Sequence, residues 1–142
     1  MECCNIWEVF DEKNNLIKEY KHWKLLVRNR NWTLGNCVAI TKRHMPSFSE
    51  ITEDEMADLT ELVKDAERAL KKAFNYDKIN WMSLMMKDPH LHFHIVPRYS
   101  SPRQFEDIEW TDEGWPKLPA GRKEDVPKEV LQKVKQKILE NI

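Results

Sequence analysis

Hydrophobic and polar positions alternate over short stretches in the first 41 residues. This pattern predicts β-strands at residues 6–11, 16–20, 23–28 and 37–41. The polar segment 12–15 (Glu-Lys-Asn-Asn) would join the first two strands into a hairpin. Residues 29–35 would form a loop.

A helical period replaces the alternation after residue 52. Apolar side chains recur there at steps of three and four and so share one helix face; they are Met56, Leu59, Val63, Ala66, Leu70 and Ala73. Thr52 and Glu55 have the spacing of a capping box, in which each side chain binds a free amide at the helix start. Asn75 suits the helix end.

The second half of the chain predicts two more strands, at 79–85 and 91–96, and a final helix at 127–141. Residues 100–126 contain prolines and tryptophans, so we expect an ordered loop whose tryptophans need a surface to pack on. The order of strands, helix, strands and helix favours an α+β fold with a largely antiparallel sheet. With 142 residues, we expect a single domain over 1–142, with its core at about 23–99.

Three of the five histidines fall within or directly before the predicted strand at 91–96. Successive strand side chains point to opposite faces, so His90, His92 and His94 share one face, roughly 7 Å apart from one to the next. The apolar residues between them belong to the core. Such a row could bind a metal, exchange protons near neutral pH, or attack a phosphorus atom as a nucleophile. It could also be a solvated strand face without chemistry.

The segment His-Leu-His-Phe-His-Ile-Val-Pro-Arg, at 90–98, resembles the signature of the histidine triad (HIT) superfamily, in particular its bacterial branch of dinucleoside-polyphosphate-hydrolase-like proteins. Residues 34–44, which end in Lys-Arg-His, and 46–51, Pro-Ser-Phe-Ser-Glu-Ile, are also similar to the family. The resemblance covers roughly 23–99, and the triad motif is highly specific.

The resemblance implies a role for each matching residue. His92 would attack the α-phosphorus of a nucleotide and carry the nucleotidyl group, while the carbonyl of His90 fixes its tautomer. His94 and His44 would hold phosphate oxygens or the bridging atom, and water would release the nucleoside monophosphate. Lys87, Arg98 and Asn36 are further candidates for substrate binding.

Two departures from the family pattern concern the site. Met85, Met86 and Lys87 replace the usual glycine, amide and hydroxyl residues that precede the triad. The methionines offer almost no hydrogen bonding, which favours a second hypothesis, a catalytically weak nucleotide-binding or interaction module. Lys87 could place a cation at the leaving group or point to solvent beside Asp88. Cys3 and Cys4 lack the Cys-x-x-Cys spacing with which some relatives hold zinc, so we expect no metal and no cofactor.

Composition narrows the choice of partners. The net charge of −1 argues against general nucleic-acid binding, and no apolar run approaches the roughly 20 residues that cross a bilayer. An absent secretory signal and three cysteines lead us to expect a cytoplasmic protein with reduced thiols. The family resemblance adds the expectation of a nucleotide substrate and a homodimer.

Overall fold

The computed structural model describes residues 4–120 and 124–142. Its helices are α1 (Ile6–Val9), α2 (Glu12–Asn15), α3 (Glu53–Phe74) and α4 (Lys128–Leu139), with a 3-10 turn at Phe48–Glu50. Its strands are β1 (Leu16–Glu19), β2 (Trp23–Val27), β3 (Cys37–Thr41), β4 (Lys78–Met82), β5 (His92–Arg98), β6 (Arg103–Phe105) and β7 (Ile108–Trp110). No helix in these two stretches is long and apolar enough to span a membrane.

Five strands form one antiparallel sheet in the order β1-β2-β3-β5-β4, and β6 and β7 form a separate hairpin. The histidine strand β5 is therefore interior, with β3 on one side and β4 on the other. Ile40 pairs with His92, and Val38 pairs with His94. The prediction of an α+β fold with a largely antiparallel sheet is confirmed.

The two faces of the sheet carry different layers. The larger hydrophobic core lies on the side of α3 and α4 and includes Leu25, Ala39 and Ile95. The smaller core lies on the side of α1, where Ile6 and Phe10 pack against Leu26, Val38 and Ile40. Register places His92 and His94 in the same rows as Ile40 and Val38, so the histidines belong to the α1 side.

Helix α3 begins and ends as its sequence predicts. The Thr52 amide donates to Glu55 Oε1 at 2.9 Å, the Glu55 amide donates to Thr52 Oγ1 at 3.2 Å, and Asn75 closes the helix in the left-handed conformation. Arg43 forms an ion pair with Glu55. The hydrogen bond from Arg43 is the main reason why the pKa of the Glu55 carboxyl falls to about 2. Met56, which the helical pattern places on the core face, is 44% exposed. Leu62, which that pattern does not include, is buried in the core.

The predicted N-terminal hairpin is wrong. Residues 6–9 form α1 and residues 12–15 form α2, and β1 pairs with β2 instead. Ile6 and Phe10 are four residues apart, which puts both on one helix face, and both are buried against the sheet. Asp11, with φ of 51°, reverses the chain between the two short helices.

Two short strands, β6 and β7, interrupt the segment predicted as a loop at 100–126. Trp110 in β7 is buried in the main core, as its need for a packing surface predicts. Residues 121–123 of this segment lie outside the described residues. Pro127 caps α4, and Leu131, Val134 and Ile138 face the core.

Candidate active site

His92 is held in one orientation by the backbone of its own strand. Its Nδ1 lies 2.6 Å from the carbonyl oxygen of His90. A carbonyl only accepts, so Nδ1 carries the proton and Nε2 keeps the lone pair. The His92 ring is 97% buried, with Phe10 at 5.6 Å between ring centroids. The contact with the His90 carbonyl therefore favours the tautomer in which Nδ1 carries the proton and Nε2 is the free nitrogen.

His94 lies beside His92, with 5.0 Å between the ring centroids. Trp32 and Phe10 flank it at 5.2 and 6.1 Å. Burial, and secondly the charge of Arg28, lower the pKa of His94 to about 3. Its Nδ1 is buried and has no hydrogen-bond partner among the described residues. At neutral pH His94 is therefore uncharged, so the group it offers the pocket is a hydrogen-bonding ring and not a cation.

His90 faces a different group of residues. Its Nε2 donates to the Thr41 carbonyl at 2.6 Å, which leaves Nδ1 unprotonated. That Nδ1 lies 3.4 Å from His44 Nδ1 and 3.4 Å from Cys4 Sγ, and the other two atoms are 3.9 Å apart. Burial lowers the pKa of His90. Three good transition-metal ligands therefore converge at one point.

These three atoms fit a tetrahedral zinc ion. Zinc–nitrogen bonds of about 2.0–2.1 Å and zinc–sulfur bonds of about 2.3 Å require ligand atoms roughly 3.3–3.6 Å apart, close to the separations among Cys4, His44 and His90. The hydrogen bond from His90 to Thr41 is the kind of outer contact that orients a metal-binding histidine. Cys3, the adjacent thiol, lies outside the described residues.

A pocket of about 440 Å³ opens in front of His92 and His94. Its walls come from α1, the end of β2 with the loop that follows, and the segment between β4 and β5. The lining residues are Val9, Phe10, Arg28, Asn29, Arg30, Trp32, Leu84, Met85, Met86, Lys87, Asp88, His92, His94 and Asp125. Its volume is in the range of small-molecule sites. Three predicted site residues, His92, His94 and Lys87, line this pocket.

Four other predicted site residues do not line the pocket: His90, whose contacts are described above, and Asn36, Arg98 and His44. Asn36 is fully buried, and its side chain donates to the Ile95 carbonyl at 2.9 Å and accepts from the Trp32 amide at 3.1 Å. Arg98 binds both carboxylate oxygens of Asp112, at 2.7 and 3.1 Å, at the far end of β5. His44 contacts Cys4 and His90 and does not line the pocket. Asn36 and Arg98 are thus structural, because protein groups already occupy their hydrogen-bonding atoms.

Sequence reasoning missed the pocket residues Phe10, Arg28 and Trp32. The alternation at residues 6–11 predicts a strand for Phe10. Its spacing of four residues from Ile6 is instead the helical signal that places it over the histidines. Arg28 follows Leu26 by two positions and so continues the histidine face of the sheet. Trp32 lies in a loop, and no local pattern predicts its contact with His94.

Fold and site together define an α+β protein with a histidine-lined pocket on one face of an antiparallel sheet. The family model described as HIT domain matches residues 10–101, more than half of the chain. The chain therefore belongs to the HIT domain family.

Two uncharacterized HIT-like proteins are similar in sequence. The one from Methanocaldococcus jannaschii is 32% identical over 69 residues, which are 46% of this chain and 54% of the relative. The one from Saccharolobus solfataricus is 34% identical over 73 residues, 48% of this chain and 52% of the relative. The chain spans about half the length of the curated relatives it matches.

Solved structures show the same fold. A hypothetical histidine triad nucleotide-binding protein from Sulfolobus tokodaii has a TM-score of 0.72 at 20% identity, covering 97% of this chain and 91% of its own. A HIT protein from Sinorhizobium meliloti has a TM-score of 0.73 at 23% identity, covering 92% of each chain. A zinc-bound histidine triad family protein from Mycobacterium smegmatis has a TM-score of 0.64 at 16% identity, covering 97% of this chain and 94% of its own.

Proposed function

We propose that this protein cleaves a nucleoside phosphoester, phosphoanhydride or phosphoramidate at the α-phosphorus, with His92 as the nucleophile. The observation that supports this is the 2.6 Å contact of His92 Nδ1 with the His90 carbonyl, which leaves the lone pair on Nε2 beside the pocket. Nε2 attacks phosphorus, the bond to the leaving group breaks with its electron pair, and a nucleotidyl-histidine forms. Water then cleaves the phosphorus–nitrogen bond and releases the nucleoside monophosphate.

The remaining pocket residues suit the charge changes of this reaction. Negative charge develops on the phosphoryl oxygens and on the leaving atom, and positioned donors and cations stabilise it. Lys87 and Arg28 are cations in the pocket wall, and His94 is a neutral hydrogen-bonding group next to His92. This assignment needs no metal ion in the pocket.

The test is His92→Ala against a panel of adenosine and guanosine phosphoramidates and polyphosphates, with release of nucleoside monophosphate as the readout. We expect turnover to disappear while the circular dichroism spectrum stays unchanged. His22→Ala is the matched control, because His22 lies outside the pocket lining and should keep full activity. Quenching in alkaline detergent, in which a phosphorus–nitrogen bond is stable, with α-³²P-labelled substrate should trap label on the wild type and not on His92→Ala. Wild-type turnover by His92→Ala would contradict the mechanism.

A catalytically weak nucleotide-binding module is the alternative function for the same pocket. Met85 and Met86 line the pocket where hydrogen-bonding groups would help catalysis, and Met85 holds a strained φ of 50°. The same substrate panel separates the two functions. Nucleotide binding in calorimetry without product formation on any substrate would favour the binding module.

A second candidate function is metal binding by Cys4, His44 and His90. The three ligand atoms lie within 4.8 Å of one another, so this cluster favours a metal, against the expectation based on cysteine spacing. Bound zinc would tie the N-terminal segment to the sheet beside α1. Elemental analysis should find about one zinc per chain and much less in Cys4→Ala. Cys37→Ala, a buried thiol outside the cluster, should keep the metal. Absence of zinc from wild-type protein refolded with the metal would contradict this site.

A further inference from the structure

Arg28 differs from the other arginines that the structure describes in having no carboxylate within ion-pair distance. The others each pair with an acidic side chain, in the pairs Arg30–Asp125, Arg43–Glu55, Arg68–Asp65, Arg98–Asp112 and Arg103–Asp77. Two acids line the pocket near Arg28: Asp125 is engaged by Arg30 at 3.2 Å, and neither Asp125 nor Asp88 lies within ion-pair distance of Arg28. Arg28 therefore contributes a positive charge that has no direct ion pair in the pocket.

The surroundings of Arg28 make that charge costly. Its Nε is buried without a hydrogen-bond partner among the described residues, and its Nη1 donates to the Arg30 carbonyl. The guanidinium stacks over Trp32, with Cζ 4.8 Å from the ring centroid. Burial is the main cause that lowers the pKa of Arg28 to about 10, so the group is still charged at neutral pH. A half-buried cation with a buried, unpartnered Nε favours an anionic ligand.

The register of the sheet locates Arg28 relative to His92. The Arg28 amide donates to the Asn36 carbonyl, two rows beyond the row in which Leu26, Val38 and His94 pair. Arg28 is thus two strands from His92, roughly 10 Å across the sheet, and four residues along it, roughly 13 Å. This backbone separation is larger than the spacing of neighbouring phosphates in a polyphosphate, and the Arg28 side chain spans part of it.

We propose that Arg28 binds a second anionic group of the substrate, a phosphate on the sugar of the nucleotide whose α-phosphorus faces His92. This inference rests on the proposed function and specifies its substrate class. The sugar separates its own phosphate from the 5′-phosphate by several bonds, which suits the span between Arg28 and His92. A guanidinium can bind a phosphate through two parallel hydrogen bonds, and a lysine cannot.

Isothermal titration calorimetry with four adenine nucleotides tests the proposal. The ligands are AMP, 5′-ADP, adenosine 2′,5′-bisphosphate and adenosine 3′,5′-bisphosphate. We expect one bisphosphate to bind at least tenfold more tightly than AMP and 5′-ADP, because a charge-assisted hydrogen bond to phosphate contributes roughly ten- to a hundredfold. Arg28→Gln should abolish that preference, and Arg28→Lys should keep part of it. Arg68→Gln, which removes the same charge at a position outside the pocket, should leave it within threefold.

The outcomes separate this proposal from the proposed function. Equal affinities of Arg28→Gln and the folded wild type for all four ligands would overturn the role of Arg28. Tighter binding of 5′-ADP than of either bisphosphate would overturn the sugar phosphate. Arg28-dependent binding of a bisphosphate without turnover of any substrate would support the inference while contradicting the proposed hydrolysis. If no nucleotide binds at millimolar concentration, both proposals fail.

Discussion

At the scale of single residues, the histidine site depends on imidazoles that remain neutral. Burial lowers the pKa of His94 to about 3, whereas an exposed histidine titrates near 6.5. Between these values the unfolded chain binds a proton at this position and the folded protein does not. Stability therefore falls as pH decreases from 6.5 towards 3.

This loss of stability towards acidic pH predicts a measurable effect of His94→Gln. Urea unfolding at pH 7 and pH 5 should show wild type losing up to about 2 kcal/mol more between the two conditions than the variant, since one pKa unit is worth about 1.4 kcal/mol. Glu55, whose pKa is lowered to about 2, alters the free energy of unfolding chiefly below pH 4.5. Its contribution therefore falls outside the interval between pH 5 and pH 7. Equal pH dependence of the two proteins would show that His94 is not held neutral by the fold.

Lys87 offers a second prediction at this scale. It lines the pocket beside Asp88 and is exposed, so it can reach a leaving group in the pocket. If it assists the leaving group, Lys87→Ala should lower turnover roughly ten- to a thousandfold, which corresponds to about 1.4–4 kcal/mol. The loss should shrink for substrates with good leaving groups, which need little stabilisation. An unchanged rate on a phosphoramidate of a strongly basic amine would remove Lys87 from the mechanism.

At the scale of elements, the turn before β3 brings the sheet against α3. Gly35 has φ of 84°, and a Cβ built on it would lie 2.8 Å from Phe74 Cδ2 and 3.2 Å from Leu70 Cδ2. A side chain is therefore opposed both by the backbone conformation and by the buried end of the long helix.

Gly35→Ala should accordingly destabilise the fold by roughly 1–3 kcal/mol, seen as a lower urea midpoint with an unchanged m-value. Asn75→Gly is the control, because Asn75 also has a positive φ of 49° but closes the helix where glycine is favoured. It should be neutral or slightly stabilising. A Gly35→Ala midpoint equal to that of wild type would mean that the turn and Phe74 adjust without cost.

At the scale of the whole molecule, β4 is an edge strand, and an apolar groove adjoins it. The groove of about 700 Å³ is lined by Ile79, Trp81, Met82, Trp115 and Leu118, among others, and Leu118 is 78% exposed. Exposed strand edges beside apolar surface favour pairing with another chain. We expect a homodimer in which this edge meets a second copy.

Light scattering at micromolar concentration should therefore give the mass of a dimer. Leu118→Lys should shift the population towards monomer, because it places a charge on the proposed contact. Met86→Lys changes a comparably exposed side chain on the pocket side and should leave the dimer intact. Monomeric wild type, or equal effects of the two variants, would contradict an interface at β4.

Local sequence determined those parts whose signals are complete within a few residues. The capping box of Thr52 and Glu55, the helical stripe of α3 and the alternation of histidine and apolar residues in β5 each depend on neighbours in the chain. Their periods are set by backbone geometry, so the pattern alone predicts which side chains share a face. The family resemblance of residues 90–98 belongs to the same local information.

Tertiary structure decided what each functional side chain contacts. Asn36 and Arg98 looked available in the sequence, yet backbone carbonyls and Asp112 occupy their hydrogen-bonding atoms. Cys4 lacks the spacing of a zinc-binding cysteine pair in the sequence, yet it contacts His44 and His90, which lie 40 and 86 residues away in the chain. Sheet order and the placement of α1 create such contacts. They depend on the balance of burial over the whole fold, and no short pattern in the sequence encodes that balance.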